Sequence, residues 1–130
     1  MSIKHYEDTE QITLFQWAEL QSGKFPELDM LYHIPNGGKR SRAEAGIFKA
    51  MGVKVGVPDI CLPVPRGEYH GLYIELKAAK GRTSAKQNEW LERLAANGYK
   101  TAVCYGWEQA AVTLKSYLTQ KELKGLYDDH

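Results

Sequence analysis

The sequence predicts an α/β fold, a central mixed β-sheet flanked by helices in the order α-β-α-β-β-α-β-α. Three observations point there. Apolar residues recur at helical spacing directly after Asp/Ser-x-x-Gln/Glu signatures, as at Asp8 and Gln11, Ser41 and Glu44, and Ser84 and Gln87. Short runs rich in Val, Ile, Leu and Tyr lie between those segments. A Pro- and Gly-rich turn, 63–71, joins two of the runs as a hairpin.

Taken in order, the first helix is expected to begin near Asp8 or Thr9, to present Ile12, Leu14, Phe15 and Ala18, and to stop at Gly23. Residues 28–34 read as a strand ended by Pro35-Asn36-Gly37-Gly38, a strong loop signal. Ser41 caps a second helix that carries Ala43, Ile47, Ala50 and Met51 and ends at Gly52. The hairpin follows. A third helix, capped at Ser84, has Trp90, Leu91, Leu94 and Ala95 in a stripe and closes at Gly98. Residues 101–105 form a short buried strand, and a fourth helix over 107–118 buries Ala110, Ala111, Leu114 and Tyr117.

Length and composition set bounds on this reading. The 130 residues fit one domain, 1–130, with a core over about 8–118 and a polar tail from 119 to 130. Hydrophobic content of 43% and charged content of 25% are those of an ordinary soluble protein. The formal net charge is only +1, so a polyanion must be bound by local basic patches. No run is long and apolar enough to span a bilayer, and the first residues lack a signal segment, which points to a cytoplasmic protein. Cys61 and Cys104 fall in apolar β-like segments without metal-ligand spacing and read as buried, reduced thiols.

The chemistry sits in the hairpin, which reads G-V-P-D and then, after the turn, E-x-K. Glu75 and Lys77 are two apart, so on a strand they share one face while Leu76 points to the other. In a symmetric register centred on Gly67, Asp59 lies opposite Glu75; a single bulge would shift this. The bland alternative is a solvated strand face. Apolar neighbours on both strands argue for a position near the middle of the sheet, where an isolated charge costs several kcal/mol unless it is partnered. A divalent cation satisfies both carboxylates and leaves Lys77 an anionic neighbour. Mg²⁺ and Mn²⁺ take carboxylate, carbonyl and water oxygens, with Mg²⁺ distances of about 2.0–2.1 Å. Asp59 and Glu75 can each give an oxygen, and the Leu76 backbone carbonyl a third. Such a cation lowers the pKa of a bound water and offsets charge on phosphorus, and Lys77 can orient that water or neutralise the same charge.

Taken together, these residues resemble a stand-alone VRR-NUC domain, the virus-type replication-repair nuclease branch of the PD-(D/E)xK superfamily. The matching segments are Ile34-Pro35-Asn36-Gly37-Gly38, the stretch from Met51 to Asp59, Ile74-Glu75-Leu76-Lys77, and Gln87 on the following helix. They run in the family's order from Glu10 to about Leu118. The resemblance implies the restriction-endonuclease-like core, metal-dependent cleavage of DNA phosphodiesters, and an acidic residue on the first helix near the metal. Glu10 fits that role, with Glu7 its competitor; a glutamate in a first helical turn often serves only the macrodipole. Gln87 has two readings, a capping-box member or an active-site group, and the resemblance favours the second.

Two basic clusters flank this centre. Lys39, Arg40 and Arg42 follow the glycine loop, and Lys80, Arg82 and Lys86 follow the E-x-K strand. Either cluster alone reads as a solvated face, but as a pair they suit phosphate tracking. Backbone N–H groups at Gly37 and Gly38 can approach phosphate with no Cβ in the way, next to Asn36. His33 and His70 lack the companions of a zinc site, and hydrolase-elbow and Walker motifs are absent.

The leading expectation is a Mg²⁺- or Mn²⁺-dependent DNA endonuclease with no small-molecule cofactor and no membrane partner. The alternative is a non-catalytic or weakly catalytic module that binds DNA junctions or flaps. A small-phosphoester hydrolase is weaker, because no second domain forms a pocket and the basic clusters suit an extended polyanion. The resemblance further implies a phage-type protein, acting on branched or duplex DNA in a bacterial cell or phage-infected host, and a homodimer that resolves four-way (Holliday) junctions. Trp17, Trp90, Trp107, Tyr117 and Tyr127 supply large aromatics for either a core or an interface.

Overall fold

Alternation along one strand divides the molecule into a core side and a chemical side. Strand β3, Leu72–Lys77, sends Leu72, Ile74 and Leu76 into the main apolar cluster, while Tyr73, Glu75 and Lys77 face the other way. Its neighbours are β2, Ile60–Leu62, antiparallel, and β4, Lys100–Tyr105, parallel. A two-residue strand β1, Tyr32–His33, pairs antiparallel with β2 and completes a four-stranded mixed sheet in the order β1-β2-β3-β4. The computed structural model describes residues 3–35 and 41–120.

Helices α1, Ile3–Gln21, and α4, Trp107–Leu118, pack together over the core face of the sheet. Leu14 and Ala18 from α1 meet Ala110, Ala111 and Leu114 from α4, with Ile60, Leu62, Leu72 and Ile74 beneath them. Each fully buried Leu or Ile of this set contributes about 1.5–3 kcal/mol through burial. Helix α3, Ala85–Ala96, packs on β4, and α2, Arg42–Ala50, carries no buried residue. Trp17 and Trp107 pack half-buried against the core and Tyr117 lies inside it, so three of the five noted aromatics are core residues. Both cysteines are buried free thiols. Among the described residues no helix is long and apolar enough to cross a membrane.

Three expectations need correction. The strand over 101–105 is only partly buried, with Cys104 alone fully inside, because α3 covers it without burying a residue of its own. Helix α1 begins at Ile3, several residues before Asp8, so Asp8 and Gln11 lie inside the helix, where the preceding turn supplies ordinary helical bonding in place of a capping box. Residues 28–34 are not one strand. Pro26 opens a 3₁₀ turn over Pro26–Met30, its fixed φ and missing N–H suiting a first position, and the turn carries Leu28 into the core beside α1. Only Tyr32 and His33 remain for the sheet. The caps at Ser41 and Ser84 are present, each hydroxyl accepting the N–H three residues on. Asn36, Gly37, Gly38, Lys39, Arg40, Tyr127 and the tail beyond residue 120 lie outside the described residues.

The turn that closes the hairpin is tied to α4. The buried Tyr117 hydroxyl donates to the Val64 carbonyl at 2.5 Å, and Arg66 pairs with Glu27 in the 3₁₀ turn. Tyr117→Phe leaves that carbonyl short of a donor, so a loss of about 1–3 kcal/mol in stability is expected, read as a lower midpoint in chemical denaturation at unchanged slope. An unchanged midpoint would mean that water replaces the hydroxyl freely.

Candidate active site

The hairpin register brings the two carboxylates together. Ile60 pairs with Ile74, Cys61 with Tyr73 and Leu62 with Leu72, each pair symmetric about Gly67. Continued one residue outward, the same register sets Asp59 opposite Glu75. The Asp59 carbonyl faces β1, where it accepts the Ile34 N–H at 2.6 Å. Asp59 and Glu75 therefore form a pair without mutual backbone bonds, the arrangement in which facing side chains come closest.

Each group is held by specific contacts. Asp59 Oδ2 accepts the Leu76 N–H at 2.9 Å. Lys77 Nζ lies 3.4 Å from Glu75 Oε2, and the Gln87 amide nitrogen donates to the same oxygen at 3.1 Å. Gln87 Oε1 accepts the Ser84 N–H at 2.8 Å, which fixes the amide's orientation, because a backbone N–H can only donate. One residue thus closes the capping box of α3 and also hydrogen-bonds Glu75.

Glu75 is 2% exposed, and its Oε1 is buried with no hydrogen-bond partner. Burial and then the facing Asp59 carboxylate push its pKa up to about 8, against a smaller opposing pull from Lys77. A buried carboxyl oxygen without a hydrogen-bond partner, next to a second carboxylate, is what a hard divalent cation satisfies once Glu75 gives up its proton, so the donor set fits Mg²⁺ or Mn²⁺. The Leu76 carbonyl is on the right edge to join them. Lys77, its neighbour, turns its carbonyl towards β4 and accepts the Gly106 N–H at 3.0 Å, so Leu76 turns its own towards Asp59. Pro58, buried beside Asp59, has no N–H with which to occupy that carbonyl.

Glu10 is engaged elsewhere. Its Oε2 accepts the Trp107 N–H at 2.7 Å and so caps α4, whose own N-cap, Gly106, has no side chain. Among the described residues no three His, Cys, Asp or Glu groups gather closely enough to hold a cation, so Glu10 is not brought into the Asp59–Glu75 pair. Glu7 lies nearly one turn earlier, half-buried. Of the basic residues, Arg42, Lys80, Arg82 and Lys86 are exposed; Lys86 Nζ is 3.9 Å from Glu89 Oε2.

Two supports were not evident from sequence. His33 Nδ1 donates to the Asp59 carbonyl at 2.9 Å, joining the Ile34 N–H on that oxygen. Gly56, at φ +92°, lies so close to α3 that an added Cβ would stand 2.8 Å from the Lys86 backbone. The position of Gly56 three residues before Asp59 was the available signal, but its partner is thirty residues away.

Two facing carboxylates, one ammonium and a supporting glutamine on one face of a mixed sheet have the residue pattern of the PD-(D/E)xK class of proteins. The VRR-NUC domain profile matches residues 5–108. A solved VRR_NUC domain protein is similar at 33% identity and a TM-score of 0.77, covering 90% of this chain and 91% of that one. A comparison with proteins of curated function finds no match. The chain belongs to the VRR-NUC family, whose domain is a DNA-processing nuclease.

The raised Glu75 pKa has a testable sign. Between its ordinary value of 4.5 and about 8, the folded cation-free protein holds a proton that the unfolded chain releases. Stability should therefore be full below the lower value and decline as pH rises to the upper one. In EDTA, Glu75→Gln should match wild type near the acid end and be the more stable protein at alkaline pH, by on the order of a few kcal/mol in unfolding free energy, read as a higher thermal midpoint. Parallel pH curves for the two proteins would show that Glu75 is ionised at no cost.

Proposed function

We propose that this protein is a Mg²⁺- or Mn²⁺-dependent DNA endonuclease that hydrolyses phosphodiester bonds in branched DNA and resolves four-way junctions as a homodimer. The observation that carries the catalytic part is the buried Glu75 oxygen left without a partner beside Asp59. Family membership supports DNA as the substrate.

Asp59 and Glu75 would hold the cation, with the Leu76 carbonyl as a third donor. Glu10 Oε2 is committed to Trp107, so any part Glu10 takes falls to its other oxygen. When bound, the ion supplies a water of lowered pKa and positive charge against the phosphate. Lys77, on the same face and 3.4 Å from Glu75, would donate to the attacking water or to a non-bridging phosphate oxygen. Gln87 keeps Glu75 in register and touches neither reactant. Water adds to phosphorus, one P–O bond breaks, and the leaving oxygen takes up a proton. Arg42, Lys80, Arg82 and Lys86, with Lys39 and Arg40, would track the flanking phosphates, and the Asn36-Gly37-Gly38 backbone would approach one of them.

One such centre cuts one strand. Paired cuts in a four-way junction need two centres related by a two-fold axis, hence two copies of this chain.

Asp59→Ala, Glu75→Ala and Lys77→Ala should each lower cleavage of a four-way junction in Mg²⁺ by several orders of magnitude while far-UV circular dichroism stays unchanged, because groups acting as a unit fail together. Near wild-type cutting by the Asp59 variant would show that the centre lies elsewhere. A wild-type protein that binds junctions without cutting them would leave the binding-module reading. Light scattering should report twice the chain mass, with paired nicks on opposing strands; a monomer that cuts flaps alone would remove the resolvase reading. Replacing Lys39, Arg40 and Arg42 together with Ala should flatten the salt dependence of duplex binding by about 0.9 per lost contact.

A further inference from the structure

Helix α3 carries an apolar stripe yet has no fully buried residue. Lys86, Trp90, Arg93 and Asn97 recur at three- and four-residue spacing and so share one face. That face, with Lys54 and Val55 opposite and Tyr99 at one end, encloses an open groove of about 790 Å³. This lies within the ~300–1,000 Å³ range of small-ligand clefts.

Contacts at both ends build the groove. The close approach of Gly56 to Lys86 draws the loop bearing Lys54 and Val55 against the first turn of the helix. The Tyr99 ring is fixed edge-on by Tyr73 and His70, at centroid distances of 5.3 and 5.6 Å. Lys86 immediately precedes Gln87, whose amide bonds Glu75, so the groove starts within about one helical turn, ~5 Å, of the catalytic face. Three cations line it against one carboxylate, Glu89.

We propose that this groove binds an unpaired stretch of the DNA substrate, with a base stacked on Trp90 and the flanking phosphates on Lys54, Lys86 and Arg93. This rests on the reading of the protein as a DNA nuclease and names the part of the DNA that it selects. A half-buried indole among cations is the combination that non-specific single-strand binding uses: aromatic faces for bases, positive charge for the backbone. A continuous duplex keeps its bases stacked inside and cannot offer one to Trp90; a flap, gap or opened junction can. A second copy of the chain is the competing occupant. The excess of positive charge disfavours a two-fold contact of the groove with itself, which would set like charges against each other.

The test uses oligothymidine, an abasic oligomer of the same length and the full chain in EDTA, with tryptophan emission as the readout. Oligothymidine should quench emission in wild type, and the quench should vanish in Trp90→Phe while Trp17 and Trp107 remain. Trp90→Ala should weaken oligothymidine binding roughly tenfold. Lys54→Ala with Arg93→Ala, both exposed positions, should flatten its salt dependence by about 0.7 per lost contact, which keeps the test decisive if the Trp90 variant folds poorly. An equal effect from the abasic oligomer, or a quench that survives in Trp90→Phe, would overturn the stacking site. A dimer that dissociates on Trp90→Ala would overturn it in favour of an interface between copies. Because binding is read without divalent cation, the two readings fail separately: cutting without a Trp90-dependent quench rejects the groove alone, and the quench without cutting rejects the nuclease alone.

Discussion

A carboxylate that is 2% exposed, faces a second carboxylate and has one oxygen unpartnered is costly to fold, by several kcal/mol if nothing compensates it. Protonation relieves that cost, because burial and the facing Asp59 push the Glu75 pKa up to about 8, and the contacts around the group restrain it. Lys77 and Gln87 both bind Oε2 and leave Oε1 alone. Asp59 is turned in by the Leu76 N–H on its side chain and held from behind by Ile34 and His33 on its carbonyl. The cost falls on the face of the sheet opposite the one that carries the stabilising core.

Ordinary folding devices do double duty here. The Ser84–Gln87 capping box starts α3 and also orients the amide that restrains Glu75. Gly106 starts α4 without a side-chain cap, so the Trp107 N–H donates to Glu10 instead, and the Gly106 N–H donates to the Lys77 carbonyl at the end of β3. Gly56 bends the loop into Asp59 and seats it on the helix that carries Gln87. Each of these local features also fixes the position of a side chain on the Asp59–Glu75 face, so segments far apart in sequence converge there.

The hairpin was legible because a turn with Gly67 at its middle and matched apolar runs on either side leaves one register that buries both runs. The caps at Ser41 and Ser84 and the span of α4 were legible because they depend on local spacing. The 28–34 segment misled because apolar content alone does not separate a strand from a 3₁₀ turn, and Pro26 with the burial of Leu28 favours the turn. Glu10 shows the limit most clearly. Its partner, Trp107, is 97 residues away, so only tertiary packing shows that its carboxylate caps a helix. The His33 contact with Asp59 and the Gly56 contact with Lys86 are hidden for the same reason.

The most direct test is calorimetric titration of Mn²⁺ into the DNA-free protein near neutral pH, in two buffers of different ionisation enthalpy. If Asp59 and the protonated Glu75 form the cation site, binding should release about one proton per ion, and Asp59→Asn should abolish both the binding and the release. Binding that releases no proton, or that survives Asp59→Asn unchanged, would contradict the assignment.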